Sequence, residues 1–270
     1  MTNLTLMAVT AHPDDETAVG GTLAKYADQG VHTILVVATR GEAGQISDPS
    51  LATPETLGEV RERELRCACD ILGVRELFLL DYPDGALEEI NIEEAVGKLV
   101  YLIRLKKPQV LLTFGPDGAY GHPDHIAVHR WTTQAFSDAA SPQRYPEHLA
   151  EGLEPYAPAK LYYRALPQSL LEAIPALAQV RILLKGTVLK FQGVPDSQIT
   201  TRIDVSAYVE RKYRALTCHK TQLDPTGPFA HISKEEFREL NRYEYFVLAR
   251  SRLPAPKSKG VEEELFTGLL

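Results

Sequence analysis

The chain opens on LTLMAVTA (4–11), an unbroken apolar run that contains β-branched residues, and the pattern recurs at VHTILVVAT (31–39), ELFLLDY (76–82) and QVLLTF (109–114). Each run is too short for a helix and too continuously apolar for a strand with one wet face, so each predicts a strand buried on both faces. Helical spacing fills the gaps. TAVGGTLAKYADQG (17–30) ends at Gly30, LGEVRERELRCACDILGV (57–74) ends near Gly73, and IEEAVGKLVYLIRLKKP (92–108) is stopped by Pro108. Buried strands alternating with helices predict a Rossmann-like α/β fold, a mostly parallel sheet with helices on both faces. No G-x-G-x-x-G follows the first strand, so the pattern is not that of a dinucleotide binder.

From 139 to 198 the pattern breaks into proline and short apolar runs, SPQRYP and GLEPYAPA among them, with one strand expected near KLYYRAL. Regular signals return with ITTRIDVSAYVERKYRALTCH, a strand and a helix, and with YEYFVLARS (243–251), a late strand. One domain over 1–270 is expected, its core about 1–138 and 199–270, with an irregular β-containing excursion over about 139–198. The tail LPAPKSKGVEEELFTGLL ends in apolar residues suited to docking on the body or on a second subunit, so a homo-oligomer is part of the expectation.

Composition narrows the function classes. With 44% hydrophobic and 24% charged residues the chain is ordinarily globular. A net charge of -7 argues against a general nucleic-acid binder. No run of about 18 apolar residues predicts a membrane span, and MTNLTLMAV lacks the basic and apolar parts of a signal peptide. Cys67, Cys69 and Cys218 are an odd, sparse set that does not read as a disulfide framework. Cys67 and Cys69 sit on different faces of one helix and are expected as small packing residues, in a reducing, cytoplasmic setting.

The polar residues that remain gather where such a sheet binds ligands, past the carboxyl ends of its strands. His12, Asp14, Asp15 and Glu16 follow the first strand, Asp81 and Asp84 the third, and Asp117, Tyr120, His122, Asp124 and His125 the fourth. So many carboxylates beside a core need compensation. A metal ion supplies it, and histidine with carboxylate is the ligand set of a catalytic Zn²⁺ with one position left for water.

Two motifs, AHPDDE (11–16) and YGHPDH (120–125), stand together with TRGEAG (39–44), the R-x-x-E-L…LGV helix (61–74) and the YPDG turn (82–85). This set resembles the LmbE/PIG-L family of zinc-dependent N-acetylglucosaminyl deacetylases. The likeness runs over about 4–135, loosens from about 139 to 200, and returns around KYRALTCHKTQ (212–222) and the final LFTGLL. It implies that His12, Asp15 and His125 hold Zn²⁺, with Fe²⁺ or another divalent ion serving as well. It implies Asp14 as general base, His122 as oxyanion stabiliser or proton donor, Tyr120 as oxyanion and gating residue, and Arg61 and Asp84 as sugar contacts. The substrate implied is a small N-acetylglucosamine conjugate, such as an inositol or malate precursor of a low-molecular-weight thiol, a glycosylphosphatidylinositol precursor or a chito-oligosaccharide.

Ordinary structural roles compete at several positions. Asp15 would also serve as a helix N-cap. Glu16 suits the helix dipole or support of the site. His129, four residues past His125, and Trp131 are expected as structural residues, and GGTL (20–23) as tight packing. Arg61 and Arg63 would also fit a solvated helix face. His219 either lines the site or has a surface or core role, and Asp124 is expected to orient His122. Two other functions stay open: an amidase of the same fold acting on a larger amide or thiol conjugate, the segment 139–198 setting its choice, and a binding module without turnover.

Overall fold

A computed structural model describes residues 4–174, 181–184, 186–223, 234–254 and 260–269. Its main sheet has seven strands: β1 (Thr5–Thr10), β2 (His32–Val37), β3 (Glu76–Leu79), β4 (Val110–Phe114), β5 (Lys160–Ala165), β8 (Thr201–Asp204) and β9 (Tyr243–Ser251). They lie in the order β3-β2-β1-β4-β5-β9-β8. The first five in that order run parallel, whereas β9 is antiparallel to both β5 and β8. The chain order reverses direction between β1 and β4, the switch point at which a crevice opens past the strand ends. A separate hairpin pairs β6 (Ile182–Leu184) with β7 (Thr187–Leu189).

The apolar runs become strands because both faces are covered. Leu6 and Ala8 of β1, Leu35 and Val37 of β2, and Val110 and Leu112 of β4 enter one core. Met7 and Val9, Ile34 and Val36, and Leu111 enter the other. The period-2 alternation of a strand is therefore invisible in sequence: each alternate side chain is apolar for its own core. Helices α1 (Gly20–Asp28), α2 (Leu57–Leu72) and α8 (Val209–Leu216) pack together on the first face. Helices α3 (Ile92–Lys106) and α5 (Pro123–Asp138) pack together on the second. The remaining α-helical segments among the described residues are short or irregular: α4 (Gly118–Gly121), α6 (Pro146–Ala150), α7 (Gln168–Ala173) and α9 (Lys234–Leu240). GGTL packs as expected, since a Cβ on Gly21 would meet the Val205 side chain at 2.7 Å.

Two features depart from the sequence reading, and a third selects between alternatives it left open. β5 comes from within the 139–198 segment, yet it is the fifth parallel strand of the main sheet, between β4 and β9. The strand itself is the one expected near KLYYRAL; its place in the main sheet is not expected, because its pairing partners lie far away in sequence. Cys67, exposed on α2, is disulfide-bonded to Cys218 just after α8, against the reading of both as unpaired cysteines; only Cys69 is the free, buried cysteine expected. The tail docks on the chain's own body. Leu265 and Phe266 are buried in the first core, and Glu262 takes hydrogen bonds from Lys160 and Tyr162. Residues 255–259 of that tail lie outside the described residues.

Candidate active site

β1 and β4 lie side by side; HPDDE begins just past β1, and HPDH follows β4 after residues 115–121. Pro123 opens α5, and the His122 ring caps it, its Nδ1 accepting the Asp124 N–H at 3.2 Å. That register brings His12, Asp15 and His125 together, with one donor atom of each within 4.8 Å of the others.

Tautomers follow from the partners. His125 Nδ1 donates to the Gly118 carbonyl at 3.1 Å, which leaves the lone pair on Nε2. His12 Nε2 faces Asp84 Oδ1 at 3.0 Å and Asp124 Oδ2 at 3.1 Å, so it carries the proton and Nδ1 carries the lone pair. Those two lone pairs point at each other across 3.3 Å, with Asp15 Oδ1 at 3.2 Å from His125 Nε2 and Asp15 Oδ2 at 3.5 Å from His12 Nδ1. Acceptors converging on acceptors in a buried place call for a cation between them, either a proton on His12 or a metal ion, and the donor set fits a divalent metal ion. Carboxylates on the far nitrogen of His12 are the usual supports of a ligating imidazole.

The charges shift each other accordingly. Burial alone would depress His12, but the carboxylates of Asp124, Asp15 and Asp84 outweigh it and hold the imidazole well above the ordinary histidine value. Burial raises Asp15, yet His125 and His12 pull it well below the usual carboxylate range. His122 is pushed down to about 4 by burial and by the neighbouring His12 and His125, so it is neutral near pH 7. With Nδ1 accepting, its proton sits on Nε2.

Asp14 is held differently. Its backbone lies at φ 108°, ψ -27°, a conformation that costs a non-glycine residue about 1–3 kcal/mol. Four contacts fix it. The Asp14 N–H donates to Glu16 Oε2 at 2.9 Å, and its carbonyl accepts from both the N–H and the hydroxyl of Thr17. Arg61 Nη2 reaches Asp14 Oδ2 at 3.1 Å and also the Pro13 carbonyl. Burial pushes the Asp14 carboxyl up to about 6, with Arg61 opposing.

Arg61 is thus no solvated residue: it is 3% exposed, and its Nη1 donates to the Gly41 carbonyl at 2.8 Å. The TRGEAG loop wraps it so closely that a Cβ on Gly41 would lie 2.3 Å from its Nη1. Asp84 faces His12 and accepts the Ala43 N–H at 3.0 Å, tying the YPDG turn to the same loop. Asp124 departs from expectation. Its backbone N–H serves His122, but its carboxylate serves His12 and the amides of Gly85 and Leu87. Asp81 lies outside the group, paired with Arg40 on the surface.

Tyr120 packs edge-on against His122, His125 and Phe191, the last of these from the 139–198 segment. That segment therefore borders the site. His129 is structural, bound through Nδ1 to the Phe114 carbonyl, and Trp131 packs in the core against Tyr82. His219, fully buried, pairs with Glu16 at 2.7 Å. Glu64 and Thr221 escaped the sequence reading. The Glu64 carboxylate binds the N–H and hydroxyl of Thr221, a long-range contact with no local signature.

Residues 7–136 match the family described as PIG-L, GlcNAc-PI de-N-acetylase. The chain is 37% identical to the 1D-myo-inositol 2-acetamido-2-deoxy-alpha-D-glucopyranoside deacetylase of Thermobifida fusca, over 98% of this chain and 100% of that one. It is 33% identical to the mycothiol S-conjugate amidase of Streptomyces coelicolor, over 98% and 97% respectively. Among solved structures, N,N'-diacetylchitobiose deacetylase from Pyrococcus horikoshii shares the fold with a TM-score of 0.68 at 21% identity, covering 90% of this chain and 82% of that one. Among the described residues, no helix is long and apolar enough to cross a membrane.

Proposed function

Because the chain belongs to the PIG-L family of GlcNAc-PI de-N-acetylases, we propose that it is a metal-dependent hydrolase removing the N-acetyl group from a small N-acetylglucosamine conjugate. The observation that carries this reading is the pair of imidazole lone pairs facing each other beside the Asp15 carboxylate, with Asp14 next to them. His12, Asp15 and His125 would hold the ion, Zn²⁺ or Fe²⁺, since two imidazoles and a carboxylate suit either. When bound, the ion supplies a Lewis acid that acidifies water and polarises the amide oxygen.

The chain's own groups do the rest. Asp14 takes a proton from the attacking water and returns it to the departing amine, a role worth about 10²–10⁴-fold. His122, neutral with its proton on Nε2, donates to the amide oxygen as that oxygen gains charge. The Tyr120 hydroxyl, two residues before His122 on the same loop, is a second donor. Burial holds its pKa above the ordinary tyrosine value, so it stays protonated. Arg61 and Asp84 touch the site through Asp14 and His12, and in this reading they set those two residues rather than grip the sugar directly.

The test is acetate release from a panel of N-acetylglucosamine conjugates by protein stripped of metal and then reloaded with Zn²⁺ or Fe²⁺. Metal-dependent release is expected; no release from any compound by metal-loaded protein overturns the reading. The likeness to a thiol-conjugate amidase favours one second reading, cleavage of a larger amide. Amine release from such an amide, in place of acetate release from the sugars, would select it. A cytoplasmic setting belongs to the same proposal. Alkylation of freshly isolated protein should then find Cys67 and Cys218 as free thiols, whereas a bridged pair places the chain in an oxidising compartment.

A further inference from the structure

Glu16 is fully buried directly after the Asp14–Asp15 pair, and both of its carboxylate oxygens are engaged. Oε2 accepts the Asp14 N–H at 2.9 Å, and Oε1 lies 2.7 Å from His219 Nε2. A carboxylate only accepts, so His219 donates through Nε2. Among the described residues, His219 Nδ1 has no hydrogen-bond partner, so this histidine is placed for Glu16 alone.

His219 is in turn fixed from behind. Cys218, next to it, lies against Cys67 of α2 with their Cα atoms 6.0 Å apart, and Thr221 is held by Glu64 of the same helix at 2.8 and 2.6 Å. Arg61, also on α2, reaches the Asp14 carboxylate. Helix α2 therefore acts on Asp14 twice: directly through Arg61, and indirectly through residues 218–221, His219 and Glu16.

We infer that Glu16 and His219 form a buried positioning pair that holds the Asp14 backbone in its left-handed conformation and so aims the Asp14 carboxylate into the site. The inference rests on the deacetylase reading for its kinetic consequence, but not for its structural one. Neither residue touches substrate. Losing the pair lets the Asp14 peptide relax toward ordinary backbone angles, and a displacement of this kind near reacting atoms costs about 10²-fold in rate.

The experiment compares His219→Ala, His219→Gln and Glu16→Gln in the metal-loaded full chain. It reads kcat, KM, bound metal per chain, and hydrogen exchange at the Asp14 amide. In His219→Ala, kcat should fall about 10²-fold, with KM and bound metal unchanged and the Asp14 amide exchanging faster. His219→Gln keeps an N–H for Glu16 and should restore both kcat and protection. Glu16→Gln can accept from Asp14 and donate to a neutral His219, so it should retain protection and most of kcat, and it carries the test if His219→Ala does not fold.

Several results would overturn the pair. One is wild-type kcat and protection in folded His219→Ala. Another is a rise in KM at constant kcat, which would mean substrate contact. A third is loss of kcat in either Gln variant while the Asp14 amide stays protected, which would make the imidazole or the carboxylate itself a reacting group. If the wild type releases acetate from no compound, the deacetylase reading fails, and exchange at the Asp14 amide still decides the pair.

Discussion

Arg104 and the His12–Asp15–His125 group are both buried and both polar, but the first is saturated and the second is not. The five N–H donors of Arg104 meet five acceptors: the carbonyls of Ala139, Ser141, Arg144 and Tyr145, and Nδ1 of His148. No described carboxylate pairs with it. This guanidinium ties the end of α5 to α6, and every polar bond it can form is spent inside the protein. At the strand ends the accounting is reversed: His12 Nδ1 and His125 Nε2 face each other beside the Asp15 carboxylate, a set that only a cation, proton or metal ion, can satisfy. Burial that serves the fold closes its hydrogen bonds, and burial that serves chemistry leaves a set of them pointed at one place. The two regions should therefore fail in different currencies, one in stability and one in rate.

The largest expected effect comes from Asp14→Asn. Activity should fall about 10²–10⁴-fold, while bound metal and melting temperature hold. The sign for stability follows from the raised carboxyl. Asp14 titrates near 6 in the fold, above the ordinary carboxylate value, so its ionised form is a net cost that grows as pH rises to about 6. Asn removes that cost, and at neutral pH the variant should be as stable as the wild type or more so. The same shift gives the wild type an acidic limb. Its rate should drop as pH falls through about 6, or lower once a cation sits beside Asp14. A large loss of melting temperature in Asp14→Asn would place this residue with Arg104 and erase the contrast.

How much of this contrast is legible in sequence depends on the range of the interaction. β1, β2 and β4, with α1, α2 and α3, follow from local pattern, and their stops lie at or beside the residues that force them: Gly73 is left-handed at φ 77°, and α3 ends two residues before Pro108. The site motifs are legible because strand ends are their address. What the sequence does not show is decided by side-chain direction across long separations. Asp124 turns its carboxylate to His12, 112 residues away, and only its backbone N–H serves His122. Arg61 looks like an exposed helix residue until the TRGEAG loop closes over it. β5 reads as a strand at KLYYRAL, but its place in the main sheet comes only from β4 and β9. The Cys67–Cys218 pair spans 151 residues and has no local signature.

Arg104→Ala tests the other side of the comparison. It leaves four carbonyls facing a space without donors, and a buried acceptor stripped of its partner costs about 1–3 kcal/mol. Partial relaxation and entry of water share that burden, so a loss of about 2–4 kcal/mol in unfolding free energy is expected. The folded fraction should keep wild-type kcat, because nothing in the Arg104 cluster touches the strand ends. Denaturant unfolding alongside acetate release separates the two quantities. A fall in kcat per folded molecule would show that the α5–α6 corner transmits to His125, which lies on the same helix.

The smallest effect is the control for both. Lys107 and Glu154 form an ion pair at 3.3 Å, with side chains 51% and 77% exposed. Water solvates both charges whether or not they pair, and ordering two long side chains offsets most of the attraction, so exposed pairs contribute about 0–1 kcal/mol. Lys107→Ala should move unfolding free energy by less than about 0.5 kcal/mol and leave kcat alone. Lys107 carries one complication, a left-handed backbone at φ 50° just past α3. Alanine tolerates that conformation about as poorly as lysine, so the substitution tests the charge and not the turn. Lys107→Gly would add the backbone effect, and a gain in stability there with none in alanine would assign the strain to the turn. A loss from Lys107→Ala comparable to that from Arg104→Ala would mean that charge itself, rather than the saturation of buried donors, holds this end of the molecule.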